Sequence, residues 1–440
     1  MATRRTAWGL ALLLVLPAAG RGQSHDLSEV PKPGECFRVT VETAITGNLK
    51  VVNDGKEQLV PLNARNDHAI LEKVLKSDKG VIQKSARWYE KALSRAVVGD
   101  EKVERTLREQ RRLIVAQKFD DNHFCYAPAG PLTRVELDVV AEHFDTLCLT
   151  GLLPSGEVAV GDSWAVPSAS VQALCLFEGL INHDLKANLR EVASGQAIIE
   201  VAGKASGIEL GAMVKLDVTA TARFDLLKKR LVSVEWKQKD VRDLGPASPA
   251  AEMESTTTIS RTLLNDEPKE LTHAALVAVP QENEPQDLLK LLEHKDHKGR
   301  YGFLHTRDWH VVGQTENHLV LRLMERGDFI AQATITAWNK EDAGKHTSVE
   351  EFKRQIARTP SWELEEVAEA GEIPTDEGRY LYRFAARGEL DGTKVVQNFV
   401  LLAGPNGDQC VITFTMKPAN AGKIGTRDLA LVNAIEFMKR

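Results

Sequence analysis

The chain has 440 residues, with 56 Lys and Arg against 62 Asp and Glu and a formal net charge of −6. That length predicts two to three domains at roughly 150 residues each, and the acidic balance excludes the broad basic face that nucleic-acid binding needs. Hydrophobic residues at 43% and charged residues at 27% are globular values, enough for a full core in each domain.

The first elements form an export signal over residues 1–22. Arg4 and Arg5 make a positive start, Leu10 to Leu16 an apolar stretch, and Ala18-Ala19-Gly20 a small-residue cleavage region. The stretch is too short to span a bilayer as a mature helix. The expected location is therefore secreted or periplasmic. No Cys follows the small residues, so a lipid anchor at that point is not available; Arg4-Arg5 also fits a twin-arginine signal, and the Leu-rich run fits the general secretory route. No later stretch reaches about 18 apolar residues, so no transmembrane helix is expected in the mature chain. Cys36, Cys125, Cys148, Cys175 and Cys410 are scattered and odd in number. They read as buried small hydrophobes, with one or two disulfides inside residues 36–175 permitted by export.

Residues 30–264 are dominated by strand signals. Phe37-Val39-Val41 alternates with polar neighbours, the period of a half-buried strand. Residues 80–93, 105–119, 185–189, 197–201, 214–218, 220–224 and 231–235 continue the pattern, and residues 225–230 turn the chain between two such runs. A large antiparallel sheet follows. Two helices interrupt it, over residues 133–148 and 168–180. The first opens with Thr133 and Glu136 as a capping box and carries Val135, Val139, Phe144 and Leu147.

A polar, proline-punctuated linker is expected over residues 265–284. Beyond it, over residues 285–440, the spacing predicts a helix from Pro285 to His297, then strands over 309–312, 318–325 and 328–338. A helix capped by Ser348 follows, with Val349, Phe352 and Ile356 on one face, then strands over 379–390, 394–402 and 409–416. Asp391-Gly392 is the hairpin signal between the first two of these. Thr426 starts a last helix through Met438. The fold class is α+β: a large antiparallel β-sheet domain with two helices, followed by an α/β sandwich.

That C-terminal order, with Tyr301-Gly302-Phe303 ahead of Asp308-Trp309 and the late strand Gln397-Asn398-Phe399-Val400-Leu401, resembles the PsbP/DcrB group of α/β sandwiches. Its fold is shared with the Ran-binding Mog-type import factor. The resemblance covers about 140 residues and implies a fold; its members do unlike jobs, and no functional residue carries over. The segment Leu153-Pro154 to Val158, Val160-Gly161-Asp162 and Trp164 is similar to exported bacterial domains without assigned chemistry. More remotely, the N-terminal region is similar to periplasmic lipoprotein-carrier half-barrels, which implies a curved sheet holding an acyl chain.

Catalytic signatures are missing. There is no GxSxG, Walker A or GxGxxG, and Ser163 between Asp162 and Trp164 reads as a turn residue. Paired carboxylates such as Glu350-Glu351 and Glu365-Glu366 read as solvated faces. For a metal, the candidates are His294 and His297, two His at i, i+3 on one helix face with Glu293 or Asp296 to assist and His305 and His310 nearby; their place at a helix C-terminus gives a purely electrostatic reading as well. Trp88, Tyr89, Trp236, Trp338 and Trp362 fit either a groove or core packing. No cofactor is expected. Two partner classes remain, an envelope protein or a lipid-like ligand. The first makes the chain a non-catalytic binding protein. The second makes it a carrier with Val214, Leu216, Val218 and Phe224 as the apolar face, provided no helix covers that face. A hydrolase with an unrecognised site is the third reading.

Overall fold

Strict alternation along the N-terminal strands separates the two faces of one large sheet. In Ala212–Asp225, Val214, Leu216, Val218, Ala220, Ala222 and Phe224 are buried, while Asp217, Thr219 and Arg223 are exposed. Side chains on a strand alternate with period two, so one face of this sequence must be covered and the other wetted. The computed structural model describes residues 23–53, 55–119, 122–141, 145–280, 284–375 and 378–438. The expected export signal and Phe144 lie outside those residues.

The N-terminal elements are β1 (Ser24–His25), β2 (Cys36–Asn53), β3 (Lys56–Asp78), β4 (Val81–Val98), β5 (Glu101–Thr106), β6 (Leu113–Phe119), β7 (Asn122–Tyr126), α1 (Arg134–Val140), β8 (Val158–Ala159), β9 (Ser163–Ala165), α2 (Ser168–Leu174), β10 (Gly179–His183), β11 (Lys186–Ala193), β12 (Gln196–Glu209), β13 (Ala212–Asp225), β14 (Arg230–Arg242) and β15 (Ala250–Leu263). Most join one antiparallel sheet in the order β7-β6-β4-β3-β2-β15-β14-β13-β12-β11-β9, with β10 beside β12 and β5 beside β4. Register shifts at Ala69/Ile70 and Val74/Lys76 between β3 and β4, and at Arg223/Phe224 between β13 and β14, add local twist to these long strands.

Both helices are shorter than their periodicity suggests. The Thr133–Glu136 capping box is present, but α1 ends at Val140, and residues 146–148 of the expected helix lie in a 3-10 turn over Thr146–Leu152. Asp145 caps that turn by accepting from the Leu147 amide, which redirects the chain. Likewise α2 ends at Leu174, and Gly179–His183 pairs with β12 as a strand. Tertiary pairing overrides local helical spacing at both places.

The stretch after β15 is packed rather than free. Leu271 is fully buried against Leu71 and Ala86 on the convex face of β3 and β4, and Leu276 and Trp88 pack there too. Lys73 Nζ donates to the Leu271 carbonyl at 2.9 Å.

The C-terminal elements are α3 (Asp287–Lys290), β16 (Leu292–Lys295), β17 (Tyr301–His305), β18 (Trp309–Gln314), β19 (His318–Glu325), β20 (Asp328–Ala337), α4 (Val349–Ile356), β21 (Trp362–Glu372), β22 (Tyr380–Leu390), β23 (Thr393–Ala403), β24 (Gln409–Met416), α5 (Arg427–Asn433) and β25 (Glu436–Phe437). Seven strands form one sheet, β18-β19-β20-β24-β23-β22-β21, and β16-β17-β25 form a small second one. The large sheet is buried on both faces. Val400 and Leu402 of β23 point into one core with Tyr301, Leu431 and Ile435, whereas Phe399 and Leu401 point into another with Phe352 and Ile356 of α4. Asp391 and Gly392 both have positive φ, at 48° and 74°, as a two-residue hairpin turn requires. Two expectations are corrected here. The helix expected over Pro285–His297 ends at Lys290, and its last residues form β16. The helix expected through Met438 ends at Asn433. Glu365 and Glu366 are exposed on Trp362–Glu372, an edge strand the sequence reading did not include; such charges on an edge discourage pairing with another chain.

The two regions touch. The Arg134 guanidinium donates to the Trp309 carbonyl at 3.1 Å, and Arg108 bridges Glu136 to Glu293.

Candidate functional site: a cavity beneath the curved sheet

One face of the long sheet is covered by α1, the 3-10 turn and α2. On β13, Val214, Leu216, Val218 and Phe224 are at most 4% exposed and belong to a core that includes Val171 and Leu174 of α2. Between β2, β3 and β4 and the covering elements lies a cavity of about 1070 Å³. That is above the size range usual for small-molecule sites. Its floor is Val39, Val41 and Thr43 of β2, His68, Ile70 and Glu72 of β3, and Arg87 and Tyr89 of β4. Its roof includes Leu137, Val139 and Val140 of α1, Leu147 and Cys148 of the 3-10 turn, and Phe177. Phe177 lies flat against β12 because residue 207 is Gly; a Cβ there would meet the ring at 2.4 Å. The four β13 residues therefore share the core beside the cavity and do not line it.

One end of the cavity is polar. Glu72 and Arg87 are cross-strand partners on β3 and β4, and both point inward. Arg87 Nε donates to Glu72 Oε1 at 3.0 Å, and its other donors reach Asp145 and Thr146 Oγ1, the latter at 2.8 Å. Burial opposes the guanidinium charge, but Asp145 and Glu72 keep Arg87 protonated. Burial alone would raise the Asp145 carboxyl; Arg87, His123 and the Leu147 amide outweigh it and hold the group below the usual carboxylate range. The order continues outward: His123 Nδ1 lies 3.5 Å from Asp145 Oδ2, and Cys148 Sγ lies 3.0 Å from His123 Nε2. Burial lowers the pKa of His123 and, with the Asp145 charge, pushes the Cys148 thiol up to about 12. Farther along β3, burial drives His68 down to about 4, so its imidazole is neutral at pH 7.

Carboxylate, imidazole and thiol thus stand in the order that nucleophilic catalysis uses. Their resting state is the neutral one, a protonated thiol beside a neutral imidazole. The Cys148 amide is occupied by the Asp145 carbonyl at 3.0 Å, so it is not free to receive an oxyanion.

The histidine pair lies elsewhere. His294 is on β16, its ring tilted against Phe303 at 5.0 Å between centroids, while His297 is beyond the strand, with Nδ1 3.2 Å from Gln314 Nε2. The premise of two ligands on one helix face is absent because the helix stops at Lys290. Among the described residues no group of three or more His, Cys, Asp and Glu side chains is placed to hold a metal ion. Trp236 and Trp362 are core residues, and Trp338 packs edge-on against Phe352.

Sequence reasoning missed His68, Glu72, Arg87, His123 and Asp145 as a group. A signal existed for three of them. His68 and Glu72 occupy the side of β3 that also carries Ile70 and Val74, and Arg87 sits in register with them; polar residues on an apolar strand face need partners or a ligand. His123 comes from β7 and Asp145 from the cap of the 3-10 turn, and no local spacing connects them.

No protein-family model and no curated protein matches the chain. Likeness of the Leu153–Trp164 segment to exported domains therefore gains no support. Solved structures that match include cyanobacterial PsbP from Synechocystis sp. PCC 6803, at 14% identity over 34% of this chain and 92% of that one, with a TM-score of 0.25. The Ran-binding protein Mog1p of Saccharomyces cerevisiae matches at 10% identity over 33% and 94%, also with a TM-score of 0.25. Lipovitellin matches at 9% identity over 55% of this chain and 27% of that one, with a TM-score of 0.32. The chain is a β-rich, antiparallel-sheet protein, and no described helix is long and apolar enough to cross a membrane. Likenesses at these scores say nothing about activity.

Proposed function

We propose that this chain is an exported, non-catalytic binding protein of the cell envelope that holds an apolar, lipid-like molecule beneath its N-terminal sheet, with a PsbP/DcrB-like sandwich as its second domain. The observation that supports it is the cavity of about 1070 Å³ between the sheet and its covering helices, with Val39, Val41, Ile70 and Tyr89 on its floor and Leu137, Val139, Val140 and Leu147 on its roof. This reading moves the ligand from the packed face of β13 to β2, β3 and β4. The test is native mass spectrometry of the mature protein purified from the exported fraction without detergent. A bound mass of lipid size that is lost on denaturation supports the reading. An empty protein that also fails to take up Nile red, a neutral apolar dye, refutes it.

A second reading, a thiol hydrolase, is favoured by the Cys148–His123–Asp145 order. In it Cys148 Sγ attacks an ester carbonyl of a bound ligand, His123 takes the thiol proton and passes it to the departing alkoxide, and water then cleaves the thioester. Turnover of p-nitrophenyl esters that is lost in Cys148→Ala supports this reading. Equal rates in the two proteins remove it.

A further inference from the structure

Two buried polar atoms on the cavity floor have no hydrogen-bond partner among the described residues: Glu72 Oε2 and His68 Nε2. The Glu72 side chain is 1% exposed and His68 is 5% exposed, and both line the cavity. Glu72 uses its other oxygen twice, accepting from Arg87 Nε and Thr146 Oγ1. Leaving a carboxylate oxygen unmet in a buried place is unfavourable, so its position at a cavity wall marks where a ligand donor belongs. The two residues are four apart on one strand face with Ile70 between them, which sets their Cα atoms about 13 Å apart. A ligand body laid over Ile70, Val41 and Tyr89 reaches from one to the other.

Resting on the proposed cavity reading, we infer that the ligand carries a hydrogen-bond-donating head group, a hydroxyl or an amine, which sits on Glu72 Oε2, and that the matching carboxylate is rejected there. An ionised carboxylate accepts only, so it cannot meet Glu72 Oε2. The surroundings agree: Glu72 and Asp145 place two negative charges against the single charge of Arg87, and the neighbouring His123 is pushed toward neutrality by burial. The positive side chains that also line the cavity are differently engaged. Arg307 donates to the carbonyls of Lys290 and Cys125 and lies over Phe124, and Lys79 and Lys118 are exposed. A carboxylate drawn to Lys79 or Lys118 leaves Glu72 Oε2 unmet.

The experiment is displacement of Nile red from the full mature protein by decanol, decylamine and decanoate, three molecules with one chain length and different heads. The expected result is that decanol or decylamine displaces the dye at a concentration at least tenfold below that of decanoate, the better of the two telling hydroxyl from amine. In Glu72→Gln the carbonyl oxygen stays on Arg87 and Thr146, and the amide NH2 takes the place of Oε2. The acceptor becomes a donor, and the tenfold preference falls to about one or reverses. The wild-type ratio stands by itself if that variant does not fold. Decanoate displacing the dye as well as the other two in the wild type overturns the inference and leaves the cavity reading intact. A preference that persists unchanged in folded Glu72→Gln also overturns it. Nile red that never binds sinks the cavity reading itself.

Discussion

Replacing Arg87 with Met tests the polar end of the cavity most directly. Arg87 has a 5% exposed side chain and is the common partner of Glu72, Asp145 and Thr146. Met is of similar length and fills the same path, so packing is largely kept while the charge is lost. Two buried carboxylates then face each other without a cation, and removing one member of a buried ionic group costs about 3–5 kcal/mol. The pH dependence gives a second readout. In the wild type the folded pKa of Asp145 lies below its unfolded value, so it contributes stability above the usual carboxylate range and loses it as pH falls through the folded value. Without Arg87 burial dominates, the folded pKa moves above the unfolded one, and the destabilisation fades as pH falls through that raised value. The stability gap between wild type and Arg87→Met should therefore be largest near pH 8 and shrink toward pH 5. Urea unfolding followed by tryptophan fluorescence at pH 8, 7, 6 and 5 measures it. A loss under about 1 kcal/mol, or a gap constant across that range, would refute the view that Arg87 organises this site.

Other expectations follow from single residues. Burial raises the Asp240 carboxyl to about 6, above its unfolded value, so it costs stability increasingly as pH rises between the two; Asp240→Asn should gain about 3 kcal/mol at pH 7 and under about 1 kcal/mol at pH 4, read by urea unfolding. Thr133→Ala removes the cap of α1 and should cost about 1 kcal/mol, with weaker Nile red binding because α1 roofs the cavity; unchanged values of both would discount the cap. All five cysteines are buried as free thiols, and burial pushes Cys125 up to about 11 and Cys148, Cys175 and Cys410 up to about 12. Ellman's reagent at pH 8 should find none in the native protein within minutes and five in guanidinium, whereas prompt labelling of Cys148 speaks for the thiol hydrolase. Gly392→Val in the β22–β23 hairpin forces a β-branched residue to a φ of 74° and should cost about 1–2 kcal/mol in thermal unfolding.

Local sequence was enough for much of the fold. Alternation in residues 214–224, the Asp391-Gly392 turn and the Thr133–Glu136 cap each act within a few residues, and each is found where its chemistry puts it. The limits of α1, α2 and the helix at 287–290 were not legible, because residues 179–183 and 292–295 pair as strands with distant partners and an Asp145-capped 3-10 turn follows α1. The acidic β21 was hidden for the opposite reason: an exposed edge strand buries almost nothing, so its sequence carries no apolar pattern. What only the tertiary structure decided was the site. The cavity is lined by Ile70 of β3 and not by Val218 of β13, which is packed into the core. His68, Glu72, Arg87, His123, Asp145 and Cys148 are as many as 80 residues apart in the chain and share one cavity wall only because three strands, β3, β4 and β7, and the Asp145-capped 3-10 turn converge there. Period-two patterning determines which side of a strand is covered; the depth of the space above it depends on how the cover packs, and that is set by contacts no local pattern encodes.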